Sequence, residues 1–288
     1  MYTMRPAEFE YHRPGSLDEA VALLGEDSRP LAGGHSLLPL MKLRLATPEA
    51  LVDLAGVPGL DEISEDGDGL RVGALATHAS VAASELVRAR CPVLAETAAL
   101  IGDAQVRNRG TLGGSVAHAD PAADYPTVLT ALGATISVAG ENGEREIAAD
   151  EFFVGMFATA LQPGELVLAA KVPSTPAGTG AAYVKHRHPA SFYAVVGVAA
   201  VVAAENGSCT SARLTIGGVA GTPVDATDAA ESVVGAPPSE ESVAAAADKV
   251  AAALPNAMSD TYASGEYRVH LATVHAGQAL RTAFERAG

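Results

Sequence analysis

The sequence predicts an α+β protein of two domains, and three observations carry that expectation. Leu17, Ala20, Val21, Leu23 and Leu24 recur with helical spacing and are followed by short strand-like runs. Beyond residue 190, the runs YAVVGVAAVVAAENG and SCTSARLTIGGVAGTPV alternate and end in turn residues, the signature of antiparallel strands. Between these regions, Ser-Thr-Pro-Ala-Gly-Thr-Gly at 174–180 breaks both periodicities and reads as a linker. At 288 residues, with 48% hydrophobic and 18% charged side chains, the chain is large enough to bury two cores.

Each element follows in order. Ser16 is placed to cap the helix at 17–24, with Glu19 three residues on. A Gly-rich turn at 30–34 and the apolar, basic stretch LLPLMKLRLA lead to a strand at 51–54. Residues 60–72 read as a hairpin turning at 66–69. The segment 81–102 is helix-like but interrupted at Pro92. After a second Gly-rich stretch come a strand in ATISVAG, a turn at 141–143, and a strand at 165–173. The last 70 residues, rich in Ala with spaced charges, predict helices. The expected division is a domain over 1–176, in lobes of about 1–55 and 56–176, and a second domain over 177–288. Charge supports it weakly: the first part carries 24 acidic and 12 basic residues, the second 10 and 7.

Acidic residues outnumber basic ones 34 to 19, a formal net charge of −15. That balance argues against a nucleic-acid or anionic-membrane surface, since both need basic patches. The two cysteines, Cys91 and Cys209, cannot furnish a four-thiolate cluster, a zinc ribbon or a disulfide scaffold, and are expected as buried apolar residues. No apolar run approaches about 18 residues, and the N-terminus lacks a signal-peptide core. The expectation is a soluble protein of a reducing compartment.

The informative features are two glycine loops, at 31–39 (LAGGHSLLP) and 107–115 (RNRGTLGGS). Glycine lets backbone N–H groups approach a ligand, consecutive N–H groups form anion-binding nests, and hydroxyls add donors. A chain of charge −15 must hold a phosphate with such local donors. Neither loop is a G-x-G-x-x-G opening a βαβ unit or a phosphate loop ending in Gly-Lys-Ser/Thr. Spacing alone therefore leaves a pyrophosphate site and two ordinary turns both open.

AGGHSLLPLMKLR at 32–44 and DAQVRNRGTLGGSVAHADPAADYP at 103–126 resemble the FAD-binding medium subunits of the xanthine dehydrogenase family, including those of aerobic carbon monoxide dehydrogenases. The resemblance extends from EYHRPGSLDEAVALL to the tail. It implies a two-lobed FAD-binding domain of the vanillyl-alcohol-oxidase (PCMH) type, then a C-terminal α/β domain with a three-stranded antiparallel sheet and helices. On that resemblance, Ala32, Gly33, Gly34, His35 and Ser36 wrap the FAD pyrophosphate, and Thr111, Gly114 and Ser115 contact the cofactor from the second lobe. Asp124 corresponds to an acid that binds the adenosine part, while Lys185 and Tyr193 approach the flavin ring. His35 shapes the loop rather than linking covalently, so the FAD is non-covalent. Three departures stand out: Ser115 where many relatives have Asn, HRHPASFYA in place of a Lys-rich Gly-Asp stretch, and DPAAD in place of a Gly-containing version.

The residues outside that match have plainer readings. His186 and His188 read as a solvated pair, because no third metal ligand is evident. His118 with Asp120 and Asp124 reads as part of the motif rather than a metal or acid–base cluster. Arg107 and Arg109 either support the loop or face a partner. Neither a catalytic nor a metal-binding residue is expected in this chain.

The resemblance implies an electron-transfer subunit of a molybdenum hydroxylase, with molybdopterin on a large partner subunit and [2Fe-2S] clusters on a small one. It also implies a cytoplasmic dimer of heterotrimers (a heterohexamer), peripheral to a membrane only through the complex, acting on carbon monoxide, aldehydes or N-heterocycles. Two other classes remain open: a stand-alone FAD oxidase, for which the 112 residues after the linker offer little room for a substrate cap, and a non-catalytic nucleotide-binding module.

Overall fold

The structure, a computed structural model, describes residues 4–288. The first lobe contains β1 (Glu10–His12), α1 (Leu17–Ala22), β2 (Ser28–Leu31), α2 (Leu37–Lys42) and β3 (Ala50–Asp53). Its strands form a parallel sheet in the order β1-β3-β2. The start of α1 follows from its sequence. The Ser16 hydroxyl accepts from the Glu19 N–H at 3.2 Å, and the Glu19 carboxylate accepts from the Gly15 N–H at 2.8 Å. This is a capping box displaced by one residue on its return arm.

The second lobe opens with the hairpin β4 (Ile63–Asp66) and β5 (Gly69–Gly73), and then six helices follow. These are α3 (His78–Ala83), α4 (Glu85–Arg90), α5 (Pro92–Leu100), α6 (Ala104–Arg107), α7 (Leu112–His118) and α8 (Asp124–Ala131). The chain continues through β6 (Thr135–Gly140), β7 (Gly143–Ala148), α9 (Ala149–Phe152), β8 (Phe153–Gly155), β9 (Ala158–Thr159) and β10 (Leu166–Val172). An antiparallel sheet in the order β4-β5-β10-β6-β7 backs the helices. The helix-like stretch at 81–102 is three helices, not one interrupted helix. Ser84 leaves the helical region and caps α4 through the Val87 N–H, and Pro92 opens α5.

The third region holds β11 (Thr179–Arg187), β12 (Ala194–Glu205), β13 (Ser208–Gly217), β14 (Val224–Asp225), α10 (Thr227–Glu231), α11 (Glu240–Lys249) and α12 (Gly265–Ala287). Its antiparallel sheet has four strands, β11-β12-β13-β14, which corrects the expected three. The added strand is only two residues long, pairing Val224 with Ile216 and Asp225 with Thr215. Pro223 before it and the Asp225 turn after it conceal it in the sequence. β12 does not alternate as expected, because most of it is buried on both faces. The apolar cluster around α12 covers one face, and the second lobe's core, reaching Tyr183 and Ala199, covers the other. β11 begins at Thr179, so the irregular connection ends two residues short of the expected linker. Cys91 and Cys209 are buried free thiols, and burial pushes the Cys91 thiol up to about 11.

Candidate functional site

A cleft of about 410 Å³ lies where the three regions meet. Its walls come from the β2–α2 loop, the segment from Gly110 to Ser115, Asp124 at the head of α8, and residues 191–193 between β11 and β12. Of the expected binding residues, Ala32, Gly33, Gly34, His35, Ser36, Thr111, Gly114, Ser115, Asp124 and Tyr193 line it. Lys185 does not. It stands behind the wall and reaches the site through Asp124.

The glycine loops are packed against each other. A Cβ on Gly33 would stand 2.1 Å from the Arg109 carbonyl oxygen, so only glycine allows this approach. Gly34 has φ +74°. Among the described residues, the N–H groups at 33–36 donate no hydrogen bond, which leaves them as donors for a ligand. The second loop differs, because its amides are already engaged. Leu112 donates to the Ala76 carbonyl and Gly113 to the Ala74 carbonyl, both at 2.9 Å. Gly114 donates to Thr111 Oγ1 and Ser115 to the Thr111 carbonyl, both at 3.1 Å. What this loop offers is hydroxyls, those of Thr111 and Ser115. Arg107 supports it by donating to the carbonyls of Ile101 and Gly102 at 3.0 and 2.9 Å.

Asp124 is 3% exposed, and Tyr183 and Lys185 complete its setting. The Tyr183 hydroxyl donates to Asp124 Oδ1 at 2.7 Å, and Lys185 Nζ donates to both carboxylate oxygens at 2.8 and 2.9 Å. Nζ also donates to the Leu100 carbonyl at 3.1 Å. Burial pushes the Asp124 carboxyl up, and the Lys185 ammonium draws it partly back. This buried pair joins α8 and the end of α5 to β11. Tyr193 faces the Ser36 hydroxyl, and burial followed by the Asp120 carboxylate hold its phenol above the usual range. His35 is exposed.

Sequence reasoning missed His78 and Tyr183. His78 is 4% exposed, lines the cleft, and donates its N–H to the Gly110 carbonyl at 2.9 Å. Nothing in its spacing separates it from an ordinary residue at a helix start; only the approach of the second loop does. His186 lies beside Tyr267 and His275, and His188 beside Tyr262. No cluster of three metal-ligating side chains occurs among the described residues.

Two families match the chain: the FAD binding domain in molybdopterin dehydrogenase over residues 7–175, and the CO dehydrogenase flavoprotein C-terminal domain over 181–283. The carbon monoxide dehydrogenase medium chain of Afipia carboxidovorans is 41% identical, covering 99% of this chain and 98% of its own length. Subunit alpha of the 6-hydroxypseudooxynicotine dehydrogenase complex of Paenarthrobacter nicotinovorans is 36% identical over 99% of this chain and 97% of its own. The solved carbon monoxide dehydrogenase of Hydrogenophaga pseudoflava contains a chain superposing with a TM-score of 0.94 at 40% identity, covering 98% of this chain and 99% of that one. With both halves matched and these relatives aligned nearly end to end, the chain belongs to the family of FAD-binding medium subunits of molybdopterin dehydrogenases.

Proposed function

We propose that this chain is the FAD-bearing electron-transfer subunit of a heteromeric molybdenum hydroxylase, with molybdopterin on a large partner subunit and [2Fe-2S] clusters on a small one. The observation that carries the reading is the cleft where the three regions meet. It joins free amides on one loop, hydroxyls on another and an aromatic residue from the C-terminal region, in a chain whose two thiols are buried apart. Those donors fit a dinucleotide with a pyrophosphate and a ring system. The amides at 33–36 would hold phosphate oxygens, and Thr111 and Ser115 would add hydroxyl donors from the facing loop. Asp124 would meet the adenosine part, and Tyr193, 41% exposed, would stand beside the flavin ring. When bound, FAD supplies the exchange of electrons between one-electron clusters and a two-electron acceptor.

The chain's own work is to bind, orient and enclose. Gly33 locks the two loops at contact distance, and the Asp124–Lys185–Tyr183 network fixes the C-terminal region against the first two lobes. No residue here is assigned a proton-transfer role in substrate oxidation. The relatives at similar identity are named for carbon monoxide and for 6-hydroxypseudooxynicotine. Substrate choice therefore belongs to the large subunit. The proposed assembly is a non-covalent FAD site in a cytoplasmic dimer of heterotrimers, with a domain division near residue 176.

The test is purification of the full chain, followed by co-purification of its complex. Stoichiometric yellow flavin released on acid precipitation, with substrate oxidation only in the complex, is the expected result. A colourless chain that takes up no FAD would favour a nucleotide-binding module. Oxygen-linked oxidation of small substrates by the isolated chain would favour a self-sufficient oxidase.

A further inference from the structure

We propose that His78 is a binding residue of the FAD cleft, presenting Nε2–H as a neutral hydrogen-bond donor to an oxygen acceptor of the cofactor. The proposal rests on the FAD reading of this cleft and adds a contact to it. His78 opens α3 under the cap of Thr77, whose hydroxyl accepts from the Ser80 N–H at 3.1 Å. The backbone bond to Gly110 and the packing of its ring on Tyr125, with centroids 5.4 Å apart, fix the imidazole between α8 and the second glycine loop. It is a held group rather than a swinging surface histidine.

The two ring nitrogens are unequal. Nδ1 is sealed from solvent with no hydrogen-bond partner among the described residues, whereas Nε2 stands against Gly110 in the cleft wall. A neutral imidazole carries one hydrogen. Placed on Nδ1, that hydrogen would be a buried donor with no acceptor, which is costly. Placed on Nε2, it faces the cleft. A Cβ at position 110 would lie 2.6 Å from Nε2 and cover it, so the glycine there keeps the nitrogen uncovered. Burial, with His35 and Arg107 nearby, holds the His78 pKa down to about 4, so the ring adds a donor without adding charge.

The experiment compares the full chain with His78→Leu and His78→Gln, the latter keeping an N–H donor at similar reach. FAD is titrated into each apoprotein by flavin fluorescence, and the thermal midpoint of each apoprotein is recorded separately. His78→Leu is expected to bind FAD about tenfold more weakly, equivalent to about 1.4 kcal/mol. His78→Gln should stay within roughly threefold of the parent chain, as for a replaced neutral hydrogen bond. Unchanged affinity in His78→Leu overturns the proposal. Equal weakening in both variants, in step with a loss of apoprotein stability, overturns it in favour of a packing role. Failure of the parent chain to bind FAD overturns the cleft reading itself and is told apart by that control.

Discussion

Lys185 stands against the buried Asp124 and favours its charged form where burial opposes it, the Asp124 side chain being 4% and the Lys185 side chain 3% exposed. Breaking such a pair by removing one partner strands the other charge, at a typical cost of about 3–5 kcal/mol. Lys185→Met is therefore expected to destabilise the apoprotein by that order at neutral pH. The pH dependence has a definite sign. Burial already raises the folded-state pKa of Asp124, so the folded chain binds that proton more tightly than the unfolded chain does. Stability contributed by this group falls as pH rises through the folded value. Removing Lys185 raises that value further, so the variant's deficit narrows as pH falls and Asp124 takes up its proton. Denaturant midpoints at neutral and mildly acidic pH check this; a deficit that widens with acid would contradict it. Lys185 is thus a positioning residue for Asp124, and a double change to Asp124→Asn with Lys185→Met should recover part of the loss.

At the scale of elements, the two glycine loops act as one unit. Gly33→Ala sets a Cβ against the Arg109 backbone, which cannot yield as a side-chain tip can, so the loops must part. Near-complete loss of bound flavin is expected, read as the flavin-to-protein absorbance ratio at saturating FAD. Gly34→Ala meets a different obstacle, its φ of +74°, at a cost of about 1–2 kcal/mol. It should retain more flavin than Gly33→Ala, and the reverse ranking would refute the loop-contact argument. Thr111→Ala removes the cap of α7 and should cost about 1 kcal/mol in thermal stability. Both loops were legible in the sequence, because glycine pairs flanked by hydroxyl residues stand out at any position. Their different chemistry was not. The amides of Leu112 and Gly113 are engaged by carbonyls of Ala76 and Ala74, a pairing that no local pattern announces. Ser84 splits the 81–102 stretch for a similar reason: a serine inside a helical period signals a cap only once its backbone is seen to leave the helix.

Across the whole molecule, the fold class and the order of elements were readable because hydrophobic period and turn residues are local signals. The joining of the three regions was not, since Asp124 and Lys185 are 61 positions apart and β12 is buried by elements on both sides. That joining predicts how the protein responds to its cofactor. The cleft draws its walls from both lobes and from residues 191–193, so a ligand seated there bridges all three regions. FAD at a hundred times its dissociation constant should stabilise the fold by about 2.7 kcal/mol. For a chain of this size, that is roughly 5–10 °C in thermal midpoint. Hydrogen exchange then locates the effect. The amides at 33–36, which lack acceptors in the protein, should slow strongly on FAD binding, while those at 112–115, already bonded, should change little. Amides at 191–193 are bonded within their own short turn, to His188 and Ser191, so they should slow as well once the cofactor holds Tyr193 and tightens that turn. Protection confined to the first two lobes would show that the C-terminal region takes no part in holding the cofactor.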